Sequence, residues 1–396
     1  MDGADPSALA ADARGRTQAL ALLAAALVLA MTTWFSASAV VPQLRDDWVL
    51  SDTAAAWLTI AVQLGFVAGA LVSSVLNVAD VVAPRLVILG GAVGAAAANA
   101  LLGAVSGAGA AIPLRFATGF FLAGVYPPAL KLMATWFLRG RGTALGILVG
   151  ALTLGSATPH LVNALGGLDW QTVVYATSAL TLAGGLVALA VRDGPYPFPP
   201  ATFDPHQARR VFANRGVRLA SLGYFGHMWE LYAMWAWFVV FFSEAVDDGS
   251  GAAYATFAVI GVGALGCWAG GVLGDRIGRP ETTAWMMTVS GACALGIGLF
   301  FNAPTWALVL VGLVWGFTVV GDSAQFSTLV TEHADQAYVG TALTMQLALG
   351  FTLTVVTIWL MPYFADLVGW RWAFVLLVPG PALGVAAMLR LRAAES

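Results

Sequence analysis

The chain has 396 residues, of which 59% are hydrophobic and only 10% charged, with a formal net charge of −3. Such a composition excludes an ordinary soluble globular protein, which carries far more charged surface. It leaves almost nothing over for a soluble domain, and the small net charge alone says nothing useful of partners.

Taken in chain order, twelve stretches are apolar for about 20 residues each, the length that spans a ~30 Å hydrocarbon core as helix. They run over 17–41, 53–77, 84–105, 111–136, 142–165, 170–191, 219–243, 252–274, 282–301, 304–330, 339–363 and 370–390. Lipid offers no partner to backbone N–H and C=O groups, so an all-α membrane protein is expected. The runs are too long and too uniformly apolar for barrel strands. The first is not read as a cleavable signal. Its apolar run is about 24 residues, longer than a signal core, and Asp2, Asp5 and Asp12 mix with Arg14 and Arg16 before it.

With the N-terminus inside, the inner gaps hold fourteen of the arginines and the outer gaps only Arg45 and Arg371. That bias predicts a multi-pass protein of the cell's inner (cytoplasmic) membrane with both termini cytoplasmic. Cys267 and Cys293 both fall inside spans, which argues against an extracellular disulfide framework.

One gap is long. Residues 192–218, rich in proline and arginine, separate an N-terminal six-helix half (1–191) from a C-terminal one (219–396) and read as a cytoplasmic linker anchored by its arginines. The halves repeat each other. Gly119-Phe120 with Gly124 returns as Gly316-Phe317 with Gly321, Gly142-Thr-Ala-Leu145 as Gly340-Thr-Ala-Leu343, and Gly167-x-x-Trp170 as Gly369-x-x-Trp372. The order is kept and the offset drifts only from 197 to 202 residues, as expected of a duplicated six-helix unit. Six spans are an even number, so the copies share one orientation about an axis along the membrane normal.

The loop after the eighth span reads Gly271-Val-Leu-Gly-Asp275-Arg276-Ile-Gly278-Arg279. It resembles the G-x-L-x-D-R-x-G-R signature of the major facilitator superfamily, and the resemblance extends over essentially the whole chain. It implies two six-helix halves rocking about a site near the midplane. Asp275, Arg276 and Arg279, with Gly271 and Gly278 in the turn, would then gate the change of conformation. The counterpart in the first half is degraded to Asp80 and Arg85. Arg115-x-x-x-Gly119 is similar to the superfamily's arginine-bearing fourth helix. The antiporter-type proline motif of the fifth span is poorly reproduced, with Gly146, Gly155 and Pro159 but no Gly-Pro pair. The stretch WFLRGRGTALG resembles the nitrate/nitrite and organic-anion branches, yet the arginines that nitrate porters carry in spans 2 and 8 are missing.

Ionisable side chains within a span are functional candidates, because each costs ~2.5–3.5 kcal/mol or more to keep there. Glu230 lies near the middle of span 7, and Gly223, His227, Glu230 and Met234 share one helix face. A carboxylate with a histidine one turn away, on a stripe expected to face the cavity, can load and release a proton. Asp322 in span 10 is the second candidate, since it replaces Val125 of the first repeat and the shared scaffold does not require a charge there.

Arg115 and Lys131, ~24 Å apart along span 4, are candidate anion ligands, with Tyr126, His160, Tyr224 and Gln325 as further substrate contacts. Trp34 and Trp235 occupy spans 1 and 7, which line the pathway in the fold the chain resembles, and can stack on a substrate. Gly261-x-Gly263-x-x-Gly266 imitates a dinucleotide fingerprint, but inside an apolar span it reads as close helix packing. Lys131 is the chain's only lysine, so no Gly-Lys phosphate loop exists.

The expectation is a monomeric, proton-coupled secondary transporter of a small organic anion. No cofactor, metal, nucleic-acid partner or enzymatic activity is expected. Export of hydrophobic drugs or metabolites is the alternative within transport, and a non-transporting sensor or scaffold is the alternative outside it.

Overall fold

The structure is a computed structural model, which describes residues 6–137, 140–165, 168–196, 212–246, 249–335 and 339–395. Among these there is no strand. Eleven helical spans are long and apolar enough to cross a membrane: Arg14–Thr33, Asp52–Val75, Pro84–Leu102, Ala108–Ala134, Gly142–Ala164, Trp170–Ala188, Gly251–Ile277, Arg279–Phe300, Thr305–His333, Val339–Val368 and Trp370–Ala394. The remaining one, the seventh in chain order, is the 31-residue helix Arg215–Ala245. Its hydropathy is lowered by His227, Glu230 and three tryptophans, although most of it is buried in the bundle. The count is the twelve expected, in two six-helix halves. Twelve crossings put the start of the first described helix and the end of the last on one face, called here the terminal face, and the opposite one is the far face. Within the 192–218 linker, residues 197–211 with His206, Arg209 and Arg210 lie outside the described residues, as do Arg139 and Gly167.

The duplication reappears in the packing. Between apolar helices in lipid there is little hydrophobic drive, so close backbone approach at small residues does much of the work. Gly119 sits against the carbonyl of Val62, where a Cβ would come within 2.0 Å of the oxygen, and Gly316 sits against that of Val259, where a Cβ would come within 1.7 Å. Gly69 meets the carbonyl of Phe120, and Gly266 that of Phe317. Both contacts join spans 2 and 4 in one half and spans 8 and 10 in the other, 197 residues apart in each case. Gly266 belongs to the false dinucleotide fingerprint, so close packing is its observed role.

Spans 4 and 10 are also interrupted at matching places. One breaks between Ala108–Leu122 and Tyr126–Ala134, the other between Thr305–Gly321 and Ser323–His333, with Asp322 at the joint. The first span differs from expectation. Its helix Pro6–Ala30 gives way to two short tight turns, Met31–Thr33 and Ser38–Val40, before Val41–Trp48.

The halves are joined at both faces. On the far face Thr53 Oγ1 lies 3.1 Å from the Tyr363 hydroxyl, across spans 2 and 11. On the terminal face the same two spans meet at Ser74 and Thr344, 3.3 Å apart.

Candidate functional site

Six aromatic rings from four spans meet where the halves face each other. Trp34 of the broken first span lies 4.9 Å from Phe66 of span 2, 5.9 Å from Tyr232 of span 7 and 5.8 Å from Phe351 of span 11, centroid to centroid. Phe35 stacks on Tyr232 at 6.2 Å and meets Trp235 edge-on at 5.9 Å. All six are buried. The break in span 1 lies at Trp34 and Phe35, and both rings reach Tyr232 of the other half. Trp34 and Trp235 thus stand where expected, joined by Phe35, Phe66, Tyr232 and Phe351. The indole N–H groups of Trp34 and Trp235 and both ends of the Gln63 amide, one turn from Phe66, are buried without a protein partner among the described residues.

Arg115 holds that break together. Its Nε donates to the carbonyl of Leu58 (3.2 Å), and Nη1 to the carbonyl of Thr33 (2.9 Å), to Ser36 Oγ (3.1 Å) and to Asn99 Oδ1 (3.1 Å). Nη2 donates to the carbonyl of Trp34. The guanidinium is fully buried, and its acceptors are four neutral groups of spans 1 and 2 and one of span 3. Other side chains join it: Thr181 donates to the carbonyl of Ala30 (3.0 Å), Asn163 to that of Ala39 (3.0 Å), and Asn99 to that of Val174 (3.1 Å). Carbonyls freed by an interrupted helix must be satisfied inside the protein, and those of Ala30, Thr33, Trp34 and Ala39 are met in this way. Arg115 was expected to bind an anion; its nitrogens are instead committed to the backbone it clasps. Lys131 is half-buried in the last turn of Tyr126–Ala134, and Tyr126 opens that segment, half-buried.

His160, fully buried in span 5, has no partner for either ring nitrogen among the described residues. It lies one turn from Asn163 and therefore flanks the same break.

The face carrying Glu230 was expected to line the cavity, and the structure turns it elsewhere. Glu230 accepts from Trp315 Nε1 (2.7 Å) and from Ser290 Oγ (2.9 Å), binding span 7 to spans 10 and 9 of its own half. Gly223 on that face packs on Met388 and Phe326. Helical geometry explains the outcome: Tyr232 and Trp235, which do face the other half, lie well round the helix from Glu230 at ~100° per residue. His227 Nδ1 lies 2.9 Å from Asp322 Oδ1, both side chains at most 2% exposed. His227 also stacks with Tyr224, 6.1 Å between centroids, and Tyr224 rests against Gly350 of span 11. The sequence places His227 beside Glu230; the fold pairs it with Asp322.

With that geometry fixed, the relatives can be compared. A family model described as Major Facilitator Superfamily matches residues 22–353. The chain belongs to the Major Facilitator Superfamily. It is 31% identical over 170 residues to the puromycin resistance protein pur8 of Streptomyces alboniger, 41% of this chain and 33% of that protein, so the match spans a third of that relative's length. It is 24% identical over 300 residues to the uncharacterised MFS-type transporter YceJ of Bacillus subtilis (strain 168), covering 73% of this chain and 74% of that one.

Among solved structures, a bacterial homologue of the human lysosomal transporter Spinster, in an inward-facing and occupied conformation, superposes with TM-score 0.71 over 99% of this chain and 98% of that one at 15% identity. A mutant of the nucleoside transporter NupG superposes with TM-score 0.70 over 95% and 99% at 14% identity. At these identities the likeness is one of fold. The family is one of transporters, not enzymes.

In this superfamily member the signature loop lies on the terminal face and bridges the halves. Thr143, at the start of span 5, donates to Asp275 Oδ2 (3.3 Å). Arg279 reaches Asp275 (3.3 Å), Gln325 Oε1 (2.8 Å) and Glu332 Oε1 (2.9 Å). Gly278 adopts φ +98°, a conformation that favours glycine, and Gly271 packs close to Thr143. Two expectations change here. Arg276 is exposed and makes no ion pair among the described residues, because the chain turns it away while Arg279 points in. Gln325, expected at the substrate, is drawn into this latch by Arg279. Arg85 is half-buried at the start of Pro84–Leu102, and the side chain of Asp80 lies outside the described residues.

Proposed function

We propose that this superfamily member is a proton-coupled secondary transporter that moves hydrophobic, aromatic compounds out of the cell by alternating access. The carrying observation is the set of six rings between the halves, which offers stacking surface and two indole N–H groups without a protein partner among the described residues. Aromatic faces bind flat apolar molecules with little loss of side-chain entropy. The similarity to a puromycin resistance protein supports the same reading. A small organic anion would need a cation at that place, since an unpaired charge is costly there. The nitrogens of Arg115 are bonded to the protein, and Lys131 stands near the terminal end of span 4. The drug or metabolite reading is therefore preferred over the anion. Proton coupling rests on the buried ionisable pair of spans 7 and 10, His227 and Asp322, which a membrane protein does not keep buried without use.

Reconstitution into liposomes under an imposed pH gradient tests this, with labelled puromycin and labelled benzoate as probes. Accumulation of puromycin that collapses with a protonophore is the expected result. Gradient-driven benzoate accumulation with none of puromycin would replace this reading by the anion one, and accumulation indifferent to the protonophore would remove the coupling.

A further inference from the structure

Two acidic groups and one imidazole are buried together in the second half, and their bonding divides them. We infer that His227, oriented by Asp322, is the group that carries the proton, through Nε2, while Glu230 is a structural anchor. The inference rests on the proton-coupled reading above and assigns its residues.

Both oxygens of Glu230 already accept, from the Trp315 indole and the Ser290 hydroxyl, and both donors belong to the same half. Such a carboxyl ties three helices together and has no edge left toward the interface. His227 is arranged differently. Its Nδ1 lies 2.9 Å from Asp322 Oδ1, at ion-pair distance though off hydrogen-bond alignment, so the carboxylate favours the N–H on that nitrogen electrostatically. Nε2 is buried with no protein partner among the described residues, so its lone pair is available. This is the division of labour of an oriented imidazole: a carboxylate sets the tautomer and faces the imidazolium when it forms, and the opposite nitrogen exchanges the proton. Asp322 occupies the joint of the interrupted span 10, a place filled by Val125 in the first half, so the scaffold does not itself need its charge.

The charge balance supplies the coupling. With Nε2 unprotonated, a neutral imidazole lies beside a carboxylate and the pair carries −1. Taking a proton from hydronium onto Nε2 releases water and leaves an imidazolium against a carboxylate, net zero. The pair is enclosed within the second half, so the first form keeps an uncompensated negative charge buried and the second does not, which favours the carrier with the proton aboard. Few other ionisable groups surround the pair. Span 7 itself presents Tyr224 and Glu230, span 8 presents Cys267, and span 9 presents Cys293 beside Glu230. Span 4 contributes Tyr126 near Tyr224. Spans 11 and 12 carry acids or arginines only towards their ends.

The chain has four histidines, which makes the test direct. In the intact protein labelled with ¹⁵N-histidine and reconstituted in lipid, the His227 signals are assigned by comparison with His227→Gln. The expected result is an Nδ1 that stays protonated and an Nε2 that gains and loses a proton as the pH is varied. Asp322→Asn should mix the two tautomers, and Glu230→Gln should leave the nitrogen pattern as in the native protein. In liposomes, His227→Gln should lose at least tenfold of gradient-driven puromycin accumulation yet keep puromycin counterflow, which also shows that it is folded. An Nε2 that never changes state, or a native tautomer preference in Asp322→Asn, overturns the inference. So does full gradient-driven accumulation by His227→Gln, and in that case the transport reading stands. The expected spectra with no puromycin movement by the native protein would instead sink the transport reading alone.

Discussion

At the level of single residues, the sequence shows which side chains are out of place in lipid but not what they hold. Arg115 is conspicuous in an apolar run, and the natural inference is a substrate anion. Its acceptors lie 16 to 82 residues away in sequence and four of the five belong to spans 1 and 2, so no local pattern announces them. Removing the guanidinium by Arg115→Ala would leave several buried carbonyls unpaired. The expected loss is on the order of 3 kcal/mol, seen as a lower melting temperature of the purified protein. Arg115→Lys should recover only part of it, because one ammonium cannot reach carbonyls that a planar fork spans. Glu230→Ala should likewise lower the melting temperature, by an amount corresponding to about 2 kcal/mol, because the Trp315 N–H and Ser290 hydroxyl lose their acceptor. Glu230→Gln keeps an acceptor oxygen and should cost clearly less. Equal melting temperatures for Ala and Gln would contradict the anchor role.

At the level of helices, hydropathy located the spans and missed their interruptions. A broken helix keeps its apolar side chains, so the window average over residues 31–40 or 123–125 does not change, while the backbone does. The repeat was more informative. Gly119 and Gly316 were matched by sequence alone, and both turn out to be points where one backbone lies on another. Gly316→Ala should therefore force spans 8 and 10 apart, since the new Cβ would come within 1.7 Å of the Val259 carbonyl oxygen and backbone cannot yield cheaply. Gly90→Ala is the contrast, with nothing within 4 Å of its Cβ. It should be neutral or stabilise by ~0.5–1 kcal/mol, the ordinary helix preference of alanine over glycine. A comparison of melting temperatures decides, and equal effects of the two substitutions would contradict the packing account.

For the whole molecule, length and apolar periodicity made the architecture legible, whereas the conformational state was not, because it resides in a few polar contacts between distant spans. The halves are bonded on the far face through Thr53 and Tyr363 and on the terminal face through Ser74 and Thr344. The Thr143–Asp275 contact adds a second tie on the terminal face. A transporter that works by rocking must break one set while keeping the other, so neither pair can persist through a cycle. Paired cysteines test this. Ser74→Cys with Thr344→Cys, or Thr53→Cys with Tyr363→Cys, should each be bridged by a short bis-methanethiosulfonate reagent. Bridging at either face should stop puromycin transport, and a reducing agent should restore it. Asp275→Asn weakens the terminal-face tie alone, because the carboxylate that Arg279 and Thr143 share becomes neutral. In that variant the Ser74/Thr344 pair should bridge several-fold more slowly while the Thr53/Tyr363 pair bridges at the native rate or faster. A uniform change at both faces would mean that Asp275 stabilises the fold rather than one of its two closures.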